Sequence, residues 1–391
     1  MVSLVLLSQI PFAYRRYRLG RLNANIQLVN SSRHLVESAS QFNEYKGVAH
    51  VHSFLGGHST GTFSEIISAA QSNQLDFVIM TEHPAKDFDT AEMTLRGTHG
   101  GVLFVNGSEI SKPNGDRVLL LPGSKTENSV QPSPGQIPAE VSHPTSVTLI
   151  AYPADFKDWD AGGYDGVEVY NVYTNARRIN PIVAFFDSLW SLHSYHDLLF
   201  ATFYKRPTES LERWDLALTH RRLTATAGND AHSNIGVSVS DGGGKTLLGL
   251  RLDPYETSFR LVRLHVLIPQ THPLDSDTLI RSIKDGHCFI GFDLFGDSTG
   301  FSFTAQNASD TRIQGDEIAL QAGTQLAINV PVSSRVLVYK DGKVYRDEMG
   351  LTYRAWPIAE RGIYRVEVYL PQLGSPAGDQ PWIISNPIYV K

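Results

Sequence analysis

A single cysteine, Cys288, stands in the 391-residue chain, so no intramolecular disulfide and no cysteine-based zinc knuckle can form. Any metal held here must be taken by histidine, aspartate and glutamate. Basic charge is not in excess either. The chain carries 34 Lys+Arg against 40 Asp+Glu, a formal net charge of −6, which argues against a stable complex with nucleic acid, whose backbone wants a basic face. Long apolar runs are also lacking. The N-terminal "VSLVLLSQIPFAY" is too short to span a bilayer and contains Gln9 and Pro11, so no transmembrane span is expected. The basic "RRYRLGR", Arg15 to Arg21, follows this stretch, whereas a secretory signal carries its basic residues first. Residues 1–44 are therefore expected to form an amphipathic arm packed on the body, the alternative being the remnant of a membrane anchor. No repeat or low-complexity tract occurs. The Gly-rich "SDGGGKT", Ser240 to Thr246, lacks the spacing of a phosphate-binding loop and reads as a rim loop.

What the chain does contain is enough apolar residue, 41%, for a sizeable core. Short β-rich runs recur and most end in a polar or ionisable residue: "GVAHVH", "DFVIMTEH", "VLFVNGSE", "VTLIAYP", "GVEVYN" and "TATAGNDAH". Helical stretches lie between several of them, such as "FSEIISAAQSNQ" with Ser64 as its expected N-cap. Alternation of strand and helix implies an α/β fold with a largely parallel sheet. Strand ends that carry the ionisable groups imply a β/α barrel whose active face gathers them, spanning residues 45–295. From Gly296 onward only strands are read, and residues 296–391 are expected to form a small all-β sandwich, with "KDGK" at Lys340 to Lys343 as a hairpin turn. A Pro-rich loop, Ser129 to Pro144, is placed at the rim of the site.

The stretch "GVAHVHSFLGGHSTGTF" places His50, His52 and His58 within nine positions. Side chains at i and i+2 of a strand share a face, so His50 and His52 can grip one metal together. His83 follows in "MTEHP", Glu109 in "NGSEIS", and Asp230 with His232 in "GNDAHS". Five histidines, one glutamate and one aspartate are too many ligands for one tetrahedral metal and about right for two. Each residue alone has a duller reading as a cap or a core histidine. Their shared position at strand ends favours the metal site. Imidazoles with carboxylates suit Zn²⁺ foremost, with Mn²⁺ or Fe²⁺ as alternatives.

The ordered motifs "HVHS…H…TEH…GSE…EVYN…GNDAH" resemble those of the polymerase-and-histidinol-phosphatase (PHP) family of metal-dependent phosphoesterases, over residues 45 to 290. The tail ending "PWIISNPIYV" is similar to the β-sandwich appended in one bacterial branch, which includes carbamate hydrolases. The resemblance implies a distorted seven-stranded barrel, with His50, His52, Glu109 and Asp230 at a first metal site and His58, His83 and His232 at a third. At the second site the family pattern expects two further histidines where this chain has Arg117 (or Asp116) and Tyr152. Arginine cannot ligate a metal, and His143 is a weak replacement. Two divalent ions are therefore expected, not three.

These assignments imply hydrolysis of a small-molecule phosphate ester by a metal-bound hydroxide. Glu109, Asp230 and His232 form the catalytic set, Arg117, Tyr152 and Arg177 contact substrate, and Glu168 orients ligands. Arg177 belongs to a pair with Arg178 that a solvated loop would equally explain. The alternatives are a carbamate or other carboxylic-type ester hydrolase on the same site, or a catalytically dead binding barrel. The compartment, bacterial cytoplasm or cell envelope, is left open.

Overall fold

The structure, a computed structural model, describes residues 2–34, 41–123, 145–176, 180–234, 236–240, 246–251 and 253–391. His143, Arg177, Arg178, the Pro-rich loop and most of "SDGGGKT" lie outside the described residues.

The chain opens with α1 (Val2–Ser31), whose Leu19, Ile26 and Val29 are buried on the body. No helix among the described residues is long and apolar enough to cross a membrane. Next come β1 (Phe42–Val51), α2 (Phe63–Ser72), β2 (Phe77–Met80), α3 (Thr90–Met93), β3 (Gly97–His99), β4 (Val102–Val105) and β5 (Ser108–Ser111). They are followed by β6 (Arg117–Leu121), β7 (Val147–Ala151), β8 (Gly166–Asn171), α4 (Val172–Ala176), α5 (Pro181–Tyr195), α6 (Thr208–Leu218) and β9 (Thr224–Gly228). The cap of α2 is Thr62, two residues before the expected Ser64, and it forms a capping box with Glu65.

Strand β1 pairs in parallel with β2, and β2 with β4; β7, β8 and β9 are likewise parallel neighbours. The expected closed seven-stranded barrel is not formed by these ladders. A five-stranded sheet, β5-β6-β7-β8-β9, stands apart from the sheet that holds β1, β2 and β4. Among the described residues, the strand-type links between the two are single bridges, Val51 to Ala231 and Glu82 to Ser108. Local backbone explains the break. The β1–β2 register slips between Val48 and Val51, where His50 adopts φ 64°. Between β4 and β5 the chain turns at Gly107, where an added Cβ would lie 2.6 Å from the Met80 carbonyl oxygen. A run of apolar residues announces each strand, but these kinks decide which sheet it joins.

Further along lie β10 (Gly236–Ser240), β11 (Thr246–Arg251), α7 (Tyr255–Leu261), β12 (Arg263–Pro269), α8 (Ser276–Lys284) and β13 (Cys288–Gly291). The tail is mostly strand: β14 (Ser302–Gln306), β15 (Thr311–Ile313), β16 (Glu317–Ile318), β17 (Gln325–Lys340), β18 (Lys343–Pro357), β19 (Gly362–Tyr369), β20 (Pro381–Ser385) and β21 (Ile388–Val390). Short 3-10 turns at Pro371–Leu373 and Ala377–Asp379 were absent from the sequence reading. The β17–β18 hairpin turns at Asp341 and Gly342, both with positive φ, as the "KDGK" reading requires. The tail is hydrogen-bonded to the rest of the molecule, because β20 pairs antiparallel with β13. One 14-stranded sheet therefore runs from the C-terminal strands into β12, β1 and β2.

Candidate metal centre

The two seams between the sheets assemble the site. At the first, His52 N–H donates to the Ala231 carbonyl and Ala231 N–H to the His50 carbonyl, so the end of β1 lies along residues 229–231. At the second, Glu109 N–H donates to the Glu82 carbonyl, which sets Glu109 beside His83. His50, Asp230 and Tyr152 all hold left-handed backbone, with φ of 64°, 48° and 51°. Such conformations are uncommon for residues with a Cβ and persist where the surroundings over-determine them. The i, i+2 reading of His50 and His52 thus reaches the right partners over a bulged strand end, not a plain one.

Glu109 Oε2 is the focus. It lies 3.2 Å from His50 Nε2, 3.4 Å from His52 Nε2 and 3.4 Å from His83 Nε2. Asp230 Oδ1 faces the same space, 3.5 Å from both His50 Nε2 and His52 Nε2 and 3.4 Å from His232 Nδ1. The His52 ring stacks between those of His83 and His232, with centroids 4.8 Å and 4.3 Å away. Two ligand-like groups result, His50–His52–Glu109 and His52–His83–His232, sharing His52. His58 sits edge-on to His83 at 4.8 Å between centroids, but its nitrogens are not among the converging atoms.

These residues fit a bound cation. Both His52 nitrogens and Asp230 Oδ1 are buried without a hydrogen-bond partner, a state that costs about 1–3 kcal/mol per polar group unless something satisfies it. Burial, with His50 and His232 alongside, pushes the His52 imidazole down to about 3, so it stays neutral and able to ligate. Burial also lowers the His83 imidazole. Burial would raise Glu109, but the imidazoles of His50, His52 and His83 outweigh it and hold the carboxyl at about 2. Asp230 is held well below the ordinary carboxylate range in the same way. Imidazoles gathered around two ionised carboxylates are the donor set that divalent ions take.

His50 is fixed from behind. Its Nδ1 lies 2.6 Å from Glu168 Oε2, and both groups are fully buried. Burial would depress the imidazole, yet Glu168, Asp230 and Glu109 raise it well above its ordinary value. The ring thus turns Nδ1 to Glu168 and Nε2 to the centre. Asn171 Nδ2 donates to Glu168 Oε1 at 2.8 Å and to Asp230 Oδ2 at 3.2 Å, a role the sequence reading gave to no residue. Gly228 makes room for this packing: a Cβ there would lie 2.0 Å from Glu168 Oε2 and 2.9 Å from His50 Cβ. Glu82 is no ligand. It accepts from the Ser53 hydroxyl at 2.6 Å and the Thr94 hydroxyl at 3.0 Å, holding the turn after His52.

Arg117 Nη1 donates to Glu109 Oε1 at 2.9 Å, and the Tyr152 hydroxyl donates to Asp230 Oδ2 at 2.7 Å. Burial and the neighbouring carboxylates push the Tyr152 phenol far up, so it stays protonated. Asp116, the other residue considered for the second site, faces away and accepts from Lys157 N–H and Asp158 N–H at 2.9 and 3.0 Å. The centre opens into a cavity of about 1020 Å³, walled in part by Arg117, Tyr152, Tyr173, Lys112 and Asn234.

No family model and no curated protein matches this chain. Seven chains of solved structures align with it, two of which follow. One is a two-domain protein from Bacteroides vulgatus described as containing a predicted PHP-like metal-dependent phosphoesterase: 14% identity, 91% of this chain and 98% of that one, TM-score 0.41. The other is PsfC from Pseudomonas syringae: 15% identity, 61% of this chain and 87% of that one, TM-score 0.34.

Proposed function

We propose that this chain is a metal-dependent hydrolase of phosphate esters, with two divalent ions held by His50, His52, His83, Glu109, Asp230 and His232 and with His58 one ring further out. The observation that carries the reading is the convergence of His50, His52 and His83 on Glu109 Oε2, beside the unpartnered Asp230 Oδ1, at the floor of an open cavity. Zn²⁺ heads the candidates, followed by Mn²⁺ and Fe²⁺. When bound, such ions supply Lewis acidity, which acidifies water and polarises an ester oxygen. In this reading residues 45–295 are the catalytic unit, residues 296–391 its β-rich support and residues 1–44 an arm.

The chain's own residues do the rest. Glu168 fixes the His50 tautomer, and Asn171 orients both Glu168 and Asp230. Arg117 spends one nitrogen on Glu109, yet its side chain is 43% exposed on the cavity wall. Its remaining N–H groups serve the charge that grows on a phosphoryl oxygen. Arg177 is assigned to the same anionic group, and Tyr152, whose hydroxyl donates to Asp230, walls the substrate side of the cavity.

The test is to strip the protein of metal, reload it, and assay aryl phosphate mono- and diesters beside an aryl carbamate. Metal-dependent turnover of the phosphates supports the proposal. Turnover of the carbamate alone would move the chemistry to carbonyl carbon, and metal binding without any turnover would leave a binding protein.

A further inference from the structure

Among the described residues, a group of exposed apolar side chains lies where α1 meets α5. Phe12 and Phe186 close the seam between the helices with ring centroids 4.8 Å apart, and Trp190 Nε1 donates to Gln9 Oε1 at 3.1 Å. On either flank, large apolar side chains face outward: Leu7 at 59% and Ile10 at 58% exposure on α1, Phe185 at 61% and Leu189 at 69% on α5. Clustered exposed apolar residues of this kind mark an interaction surface.

Beside this face stands a collar of one charge sign. Helix α1 carries Arg15, Arg16, Arg18 and Arg21 and no acidic residue, in a chain whose net charge is −6. Only Arg15 is neutralised, by the buried Asp187 at 2.6 Å. Arg16 and Arg18 donate to uncharged oxygens, those of Trp190, Ser194 and Ser375. Arg21 makes no ion pair among the described residues. Tyr14, at the boundary with the apolar end, and Tyr17, among the arginines, are about 60% exposed, and amphipathic aromatic rings of this kind settle in a membrane interface. A cleft of about 380 Å³ opens between this collar and residues 373–377.

We propose that the α1–α5 face docks peripherally on an anionic lipid surface, its apolar side chains entering the headgroup–acyl boundary and Arg16, Arg18 and Arg21 meeting lipid phosphates. The apolar part of α1, residues 2–14, is about 20 Å long at 1.5 Å per residue, short of the ~30 Å hydrocarbon core. Apolar and basic residues are separated along α1 and not around it, so the apolar end and its α5 neighbours would enter the headgroup region while the arginine collar stays at its surface. A symmetric pairing with a second copy would set arginine collar against arginine collar, which opposes it.

The experiment floats the full chain with vesicles of equimolar phosphatidylcholine and phosphatidylglycerol, with phosphatidylcholine alone as reference, and runs light scattering in parallel. Binding to the anionic vesicles that weakens with salt is expected. Removal of three arginine charges in Arg16→Gln/Arg18→Gln/Arg21→Gln should weaken it roughly a hundredfold. Leu189→Asp, at an exposed position, should abolish it without changing the thermal midpoint or ester turnover. No binding by the full chain, equal binding to both vesicle types, or unchanged binding by both variants overturns the proposal. So does a dimer seen by scattering that Leu189→Asp dissociates, since a second copy would then cover the face.

Discussion

The guanidinium of Arg117 lies over the ring of Tyr152, 5.5 Å from its centroid, and the two side chains bind the outer oxygens of Glu109 and Asp230 respectively. Each ligand carboxylate thus has one oxygen turned to the histidines and one held by a residue that cannot, or does not readily, ligate a metal. In the family that the motifs resemble, histidines are expected at both positions. Under the proposed function, a permanent positive charge here takes the place of a further ion.

Stoichiometry follows. After metal stripping and reloading, elemental analysis should find two ions per chain, and a value of three would remove this role for Arg117 and Tyr152. The double variant Arg117→His/Tyr152→His offers the missing imidazoles and should raise the count. Arg117→Ala should lower phosphate-ester turnover by about ten- to a hundredfold, the usual effect of losing one charge-stabilising group. A neutral ester should be affected much less. Equal losses on both substrates would reduce Arg117 to a support for Glu109.

Metal should also stabilise the fold measurably. A ligand at a hundredfold excess over its Kd adds about 2.7 kcal/mol, so Zn²⁺ should raise the thermal midpoint of the stripped protein. In His52→Ala that rise should vanish, because His52 belongs to both converging groups. Asp230→Ala should behave alike. A full midpoint rise in both variants would place the metal elsewhere.

Much of this was legible in the sequence, and the exceptions have physical causes. Polar residues at the ends of apolar runs announce a shared site, and His50, His52, His83, Glu109, Asp230 and His232 do come together. The helix cap slipped from Ser64 to Thr62 because Glu65 completes a capping box only from there. Barrel closure was not readable, since it depends on the register slip at His50 and the turn at Gly107. Asn171 went unremarked as a support because an asparagine at a strand end has no periodic or spacing signal. His58 was read as a ligand from its place in the histidine cluster, and the fold sets it one ring further out.

Gly228 offers a sharper test of the support behind His50. A methyl group there meets Glu168 and His50 at once, and Glu168 is locked by His50 and Asn171. Gly228→Ala should therefore weaken metal affinity about ten- to a hundredfold, as loss of a ligand's orienting partner does. Glu168→Gln should do the same, and the double variant should lose little more. Affinities measured by competition with a chromogenic chelator decide it; additive losses would mean that the glycine acts through something else.

A second buried histidine governs alkaline stability. His265 Nδ1 lies 2.7 Å from Glu44 Oε1, and its Nε2 lies 3.0 Å from the Ser298 hydroxyl and 3.3 Å from Asp293 Oδ2. The connectivity is that of a hydrolase triad, but His265 and Ser298 are fully buried, so it ties strands together. Burial would lower the imidazole, yet Asp293 and Glu44 outweigh it and raise it to about 9. With a raised folded pKa, its stabilising contribution is complete below about pH 6.5 and fades as pH climbs through 9. Denaturation midpoints of the metal-free protein should fall over that window, by about 3 kcal/mol in all. His265→Gln should flatten the profile there, and an unchanged slope would refute the assignment.

The last prediction concerns the joint between α6 and the C-terminal strands. Arg365 on β19 binds Asp215 on α6 through two nitrogens, both at 2.7 Å, and Glu367 through a third at 2.7 Å. Arg206 meets Glu367 from the other side at 2.8 and 2.6 Å, and the Tyr369 hydroxyl donates to it at 2.7 Å. Arg365 is fully buried, with its guanidinium 4.1 Å from the centroid of the Tyr339 ring. Such a network is poor evidence of net stabilisation, because desolvating the charges opposes their attraction. Removing one member is different, since it strands the others. Arg365→Ala leaves Asp215 without its bidentate partner and Glu367 with only half its cationic support, and should cost about 3–5 kcal/mol by urea denaturation. Metal content per folded molecule should stay at the wild-type value, because the tail supplies none of the converging ligands. Loss of metal from a folded Arg365→Ala protein would mean that the joint positions the site as well as the tail.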